Sequence, residues 1–119
     1  MKILVCEDDI VVVKMIEVAL DKEKVELVHA KDGIQAMKLL KQNNDFDLII
    51  TDIHMPYHNG DEILKLVREE QRKSTPIIMM SSDNEEEVIR LALKSGVTEF
   101  ITKPLDADKL HKKLKRYIR

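Results

Sequence analysis

Apolar positions along the chain follow two rhythms: short, nearly continuous runs, and longer stretches where they return every third or fourth residue. Ile3-Leu4-Val5-Cys6, Val25 to Ala30, Leu48 to Thr51, Ile77 to Met80 and Glu99 to Thr102 have the length and content of strands. The first, third and fourth are almost wholly apolar, as parallel strands covered by helices on both faces should be. The second alternates and reads as an edge strand. Between the runs lie five helical stripes: Val12, Val13, Ile16, Ala19 and Leu20; Ala36, Leu39 and Leu40; Ile63, Leu66 and Val67; Val88, Leu91 and Ala92; Leu110, Leu114 and Ile118. Asp32-Gly33 and Asn59-Gly60 stand at helix starts, Ser74-Thr75-Pro76 leads into the fourth strand, and Ser95-Gly96 closes the fourth helix. The pattern predicts an α/β fold, (βα)5, with a doubly wound parallel five-stranded sheet and no linker or repeat.

Length adds that residues 1–119 form one domain, large enough for a core without staples. Composition, 44% hydrophobic and 35% charged, argues against disorder. Twenty Lys and Arg against 22 Asp and Glu leave a net charge of −2, which gives no reason to expect nucleic-acid binding. The single cysteine, Cys6, cannot close an internal disulfide, so a reducing cytoplasm is the natural compartment and the thiol reads as core. No apolar run approaches a membrane span, and Met1-Lys2 leads straight into a strand rather than a signal peptide.

In doubly wound sheets ligands bind beyond the carboxyl ends of the strands. Those ends carry Glu7-Asp8-Asp9, Asp52, Ser81-Ser82 and Lys103-Pro104. Asp52 alone would read as a turn residue. Its company changes that. Acids gathered at one edge repel one another, and a divalent cation relieves the repulsion better than one lysine. Hard oxygen donors without a His/Cys set favour Mg²⁺, or Mn²⁺ in its place, over Zn²⁺. Asp52 is then placed as a nucleophile toward a phosphoryl group, with Asp8 and Asp52 on the metal and Glu7 acting through coordinated water. Lys103 and the Ser81 hydroxyl are left to meet phosphoryl oxygens. Asp9, just before an apolar stripe, reads as a helix cap. Ser82 reads as a small residue that keeps the site open.

Taken together, ILVCEDD, LIITDIHMPYHNG, PIIMMSS and FITKP resemble the response-regulator receiver domains of two-component signalling, the CheY-like family, over essentially the whole chain. The resemblance implies a flavodoxin-like sheet in strand order 2-1-3-4-5. It makes Asp52 the phosphoacceptor, Glu7 and Asp8 the acidic metal pair, Ser81 the switch hydroxyl, Lys103 the site lysine and Phe100 the switch aromatic, with the backbone carbonyl of His54 completing the metal shell. It implies phosphoryl transfer from a sensor histidine kinase or phosphotransfer protein, or from a small acyl phosphate. The outcome is self-modification with slow hydrolysis, not turnover of a metabolite. Ser81 stands where Thr is common, and Phe100 where Tyr is common. His54 and Asp83 flank the site as tuning positions for phosphoryl lifetime.

The fourth helix looks apolar on more than one face, through Val88, Ile89, Leu91, Ala92 and Leu93. The fifth is basic opposite its stripe, through Lys109, Lys112, Lys113, Lys115, Arg116 and Arg119. Dipole matching and solvation account for the basic run and for Glu85-Glu86-Glu87. A homodimer or effector surface on the fourth helix, fifth strand and fifth helix is the sharper expectation. Three other functions compete. A haloacid-dehalogenase-like Mg²⁺-dependent phosphatase needs an Asp-x-Asp after its first strand, which is absent here. A flavodoxin-like nucleotide binder needs a glycine-rich loop that Gly33, Gly60 and Gly96 do not make. A degenerate receiver serving as an interaction module would not need the intact acidic set. The chain reads as a stand-alone receiver or as a fragment of a larger regulator or hybrid kinase.

Overall fold

A computed structural model describes residues 1–42, 45–55, 59–82 and 86–118. Strands β1 (Lys2–Cys6), β2 (Glu26–Ala30), β3 (Leu48–Asp52), β4 (Ile77–Ser81) and β5 (Glu99–Thr102) alternate with α1 (Ile10–Ala19), α2 (Gly33–Gln42), α3 (Gly60–Lys65), α4 (Glu86–Lys94) and α5 (Ala107–Lys115). All pairings are parallel, in the order β2-β1-β3-β4-β5. The expected fold and strand order are therefore observed, with the alternating run at one edge.

Because successive strand residues face opposite ways, each apolar run feeds two cores. Leu4, Cys6, Ile49, Ile77 and Met79 meet α2, α3 and α4 through Ala36, Leu40, Ile63, Leu64 and Ala92. Ile3, Val5, Leu48, Ile50, Ile78 and Met80 meet α1 and α5 through Val12, Ile16, Leu110 and Leu114. Every residue of β3 and β4 is buried, which is why these runs lack alternation. Cys6 lies fully inside, and burial pushes its thiol up to about 12, so it is core.

Side chains at the strand-to-helix turns fix where α1, α2, α3 and α5 begin. Asp9 accepts the Val11 amide at 2.9 Å, Asp32 that of Gln35 at 2.8 Å, Asn59 that of Glu62 at 3.1 Å, and Asp106 that of Asp108 at 2.9 Å. Caps of this kind are each worth about 1 kcal/mol. At the far end of α4, Gly96 takes a positive φ of 113°, the left-handed stop its sequence suggests. Two features depart from expectation. The third helix widens into a π-helical turn over Leu66–Glu70, where Gln71 donates to the Leu66 carbonyl at 2.8 Å. Arg68 in this turn donates to the carbonyls of Gly96 and Lys73, tying it to the ends of two neighbouring segments. The other departure is α4, which buries only Ala92 while Leu91 and Leu93 stay exposed.

Register carries the strand ends to one edge. Cys6 pairs with Thr51, Asp52 with Met80, and Ser81 with Thr102, so Glu7, Asp52, Ser81 and Lys103 arrive at neighbouring levels. Hydrogen bonds extend the ladder past the strands, from Glu7 N to Ala30 O, Ile53 N to Met80 O and Lys103 N to Ser81 O. Gly60 lets α3 sit directly on this edge: a Cβ there would lie 3.0 Å from the Asp52 carbonyl and 3.0 Å from the Ile53 Cα. Gly60→Ala should therefore destabilise the protein by about 1–3 kcal/mol in urea unfolding, overriding the helical preference for alanine. A variant as stable as the parent, or more so, would contradict this close approach.

Candidate functional site

Glu7 and Asp52 bring carboxylates into a nearly dry place, 0% and 6% exposed, at the ends of β1 and β3. Unpaired charges would be costly there. Lys103, one residue past β5, meets both. Its ammonium donates to Asp52 Oδ2 at 2.7 Å and to Glu7 Oε1 at 2.8 Å. The second oxygen of each acid finds a backbone donor. Glu7 Oε2 accepts the Asp9 N–H at 3.1 Å, and Asp52 Oδ1 accepts the His54 N–H at 3.0 Å. Thr51 adds a hydroxyl donating to the Asp52 carbonyl at 3.0 Å.

One ammonium does not balance the acids. Asp8 is exposed and adds a third carboxylate, and one oxygen from each of Glu7, Asp8 and Asp52 lies within 4.8 Å of the others. Burial pushes the Glu7 carboxyl up to about 7; the Lys103 and Asp9 hydrogen bonds pull it back, while Asp52 and Asp8 push it further up. Burial works against the Lys103 ammonium, yet hydrogen bonds to Asp52 and Glu7 outweigh it and raise its pKa. Residual negative charge on converging hard oxygens suits a divalent cation of the Mg²⁺ type. An acceptor carboxylate beside a fixed ammonium also suits attack on a phosphoryl group.

The structure brings Glu7, Asp8, Asp52 and Lys103 together. Ser81 is fully buried at the end of β4, joined to the cluster through its carbonyl, which accepts the Lys103 N–H at 2.8 Å. Phe100 lies inside the core, paired in register with Met79, two positions before the end of β5. His54 contributes a backbone N–H while its side chain is exposed, and Ser82 is exposed as well. Asp83, Glu85, Arg119 and the motif residues Pro56, Tyr57 and His58 lie outside the described residues. Sequence reasoning missed Thr51, Gly60 and His29, whose ring Nε2 stands 2.8 Å from the Glu7 carbonyl oxygen. Gly60 and His29 act through a helix-to-strand and a cross-strand approach that no local pattern encodes, and Thr51 through a bond to its neighbour's carbonyl. It also undervalued Asp9, which caps α1 with its side chain and holds Glu7 with its amide.

A family model described as the response regulator receiver domain matches residues 3–115. The chemotaxis protein CheY homolog of Campylobacter jejuni is 35% identical over 116 residues, covering 96% of this chain and 89% of that protein. The two-component response regulator ORR22 of Oryza sativa is 33% identical over 111 residues, 92% of this chain, which spans only 16% of the rice protein. The solved structure of chemotaxis response regulator CheY4 of Vibrio cholerae superposes with a TM-score of 0.85 at 33% identity, covering 98% of both chains.

Glu7 sets a pH dependence. Its raised pKa means the native state keeps a proton that the unfolded chain releases, so this stabilisation is complete below the ordinary carboxylate range and is lost as pH rises through about 7. Unfolding free energy in EDTA should fall between about pH 5 and pH 8, by at most about 1.4 kcal/mol per unit from this group. Glu7→Gln should flatten the slope; an identical slope in the variant would contradict the assignment.

Proposed function

The chain belongs to the response-regulator receiver family of two-component signalling, and from that premise we propose that Asp52 is its phosphoacceptor. The donor is the phosphohistidine of a sensor histidine kinase or phosphotransfer protein, or a small acyl phosphate. The observation that carries this reading is the Lys103 ammonium held 2.7 Å from Asp52 within a cluster of three acids.

Asp52 attacks phosphorus with a carboxylate oxygen, forming a P–O bond as the donor's P–N or P–O bond breaks. The leaving imidazole or carboxylate departs with the bonding electron pair. The His54 amide keeps one Asp52 oxygen engaged and so orients the carboxylate for attack. Lys103, whose raised pKa keeps it charged, exchanges its ion pair with Asp52 for one with a phosphoryl oxygen. The Ser81 hydroxyl donates to another phosphoryl oxygen. Glu7, Asp8 and Asp52 converge closely enough to hold Mg²⁺, or Mn²⁺, and the backbone carbonyl of His54 would complete the shell as the family resemblance implies; the ion when bound would supply neutralisation of phosphoryl charge. Hydrolysis returns the carboxylate slowly, so the domain modifies itself and turns over no metabolite.

Residues 1–119 act as one receiver unit, working in the cytoplasm. Ser81 and Phe100, on adjacent strands, change arrangement when the phosphoryl group arrives, shifting the population of the α4–β5–α5 surface. That surface is the effector or homodimer contact, with exposed Leu91 and Leu93 on α4 and a lysine-rich α5. Among the described residues no helix is long and apolar enough to cross a membrane.

With Mg²⁺ and acetyl phosphate, or with beryllofluoride, intact-mass spectrometry should show one adduct that maps to Asp52 and is absent from Asp52→Asn. EDTA should abolish its formation. The same adduct on Asp52→Asn would reject the assignment.

A further inference from the structure

Glu7 is gripped on every side. Its side-chain oxygens meet Lys103 and the Asp9 amide, and its N–H donates to the Ala30 carbonyl at 3.0 Å. Its own carbonyl faces His29 Nε2 at 2.8 Å. A carbonyl oxygen only accepts, so Nε2 must carry the hydrogen. His29 and Ala30 are consecutive residues of β2, and register sets His29 opposite Val5. Two adjacent positions of the edge strand therefore hold both backbone polar groups of Glu7. Asp8 differs: it is exposed, and its direction depends on the backbone that carries it.

We propose that His29 is a positioning residue for the acidic cluster: its ring N–H holds the Glu7 carbonyl and so orients the peptide that carries Asp8. The inference rests on the metal-site reading above. The peptide is planar, so fixing the Glu7 carbonyl also fixes the Asp8 N–Cα direction. Without the imidazole donor that carbonyl turns to water, the peptide gains rotational freedom, and the Asp8 carboxylate spends less time near Glu7 and Asp52. The cost falls on cation affinity, because ordering Asp8 then accompanies binding.

Isothermal titration with Mg²⁺ tests this on the unsubstituted chain, on His29→Phe, which keeps a ring without the donor, and on His29→Gln, which keeps an N–H donor. His29→Phe should weaken Mg²⁺ binding about three- to tenfold, the scale of one lost hydrogen bond, and His29→Gln should recover most of it. The acetyl phosphate rate at saturating Mg²⁺ should stay at the parent value while the Mg²⁺ concentration for half-maximal rate rises. A purely structural histidine would instead lower the melting temperature in EDTA and leave Mg²⁺ affinity alone. His29→Phe binding Mg²⁺ as tightly as the parent, or His29→Gln no better than His29→Phe, overturns the inference alone. A parent that binds no Mg²⁺ sinks the metal-site reading and this inference with it. Nitrogen-detected NMR of the unsubstituted chain needs no variant: a neutral His29 ring should carry its proton on Nε2, and the Nδ1–H tautomer would overturn the proposal.

Discussion

One ammonium group shared between two buried acids organises the edge of the sheet where the strands end. Lys103 reaches Glu7 from one side and Asp52 from the other, joining the ends of β1, β3 and β5 across 96 and 51 residues of chain. Burying two carboxylates with one cation leaves a site short of positive charge. Burial raises the Glu7 pKa, and Asp52 and Asp8 add to the rise against the pull of Lys103 and the Asp9 amide. A site short of positive charge is poor as a stabilising device and well suited to recruiting a cation and then exchanging ion pairs with an incoming phosphoryl group.

The parallel sheet makes the arrangement accessible without strain. Right-handed crossovers place every strand-to-helix turn at one edge. Register then brings Glu7, Asp52, Ser81 and Lys103 to neighbouring levels, and side-chain caps at Asp9, Asn59 and Asp106 lead the chain directly into the next helix. Packing and chemistry are separated along each strand. Leu48 to Thr51 are interior, and the first carboxylate comes only at residue 52, where the strand ends. Gly60 closes the arrangement by letting α3 approach the backbone that carries Asp52.

Much of this was legible in the sequence, for identifiable reasons. Five apolar runs separated by helical stripes define a doubly wound sheet almost uniquely, and the alternation in Val25 to Ala30 correctly marked an edge. Asp9 and Asn59 announced their caps by standing immediately before a stripe or its glycine. The gathering of Glu7, Asp8, Asp52 and Lys103 followed from the rule for strand ends, although the sequence assigned relief of the acids chiefly to a metal, and the ammonium already joins two of them. The missed features depend on register and approach distance. The facing of His29 to the Glu7 carbonyl, the tightness at Gly60 and the π-helical turn at Leu66–Glu70 arise only when elements pack. In the fourth helix the stripe of Val88, Leu91 and Ala92 was legible only in part: Ala92 is buried, whereas Leu91 and Leu93 face solvent, where the apolar content suggested a partner contact.

The Lys103 ammonium and the Asp52 carboxylate form a strong, specific pair in the resting protein. A double-mutant cycle in urea with EDTA present, built from Lys103→Met, Asp52→Asn and the combined variant, isolates that pair. A coupling of at least about 1.5 kcal/mol is expected for a charge-assisted hydrogen bond shielded from water. Changes that add to within about 0.5 kcal/mol would show the two groups to be independent and contradict that pairing.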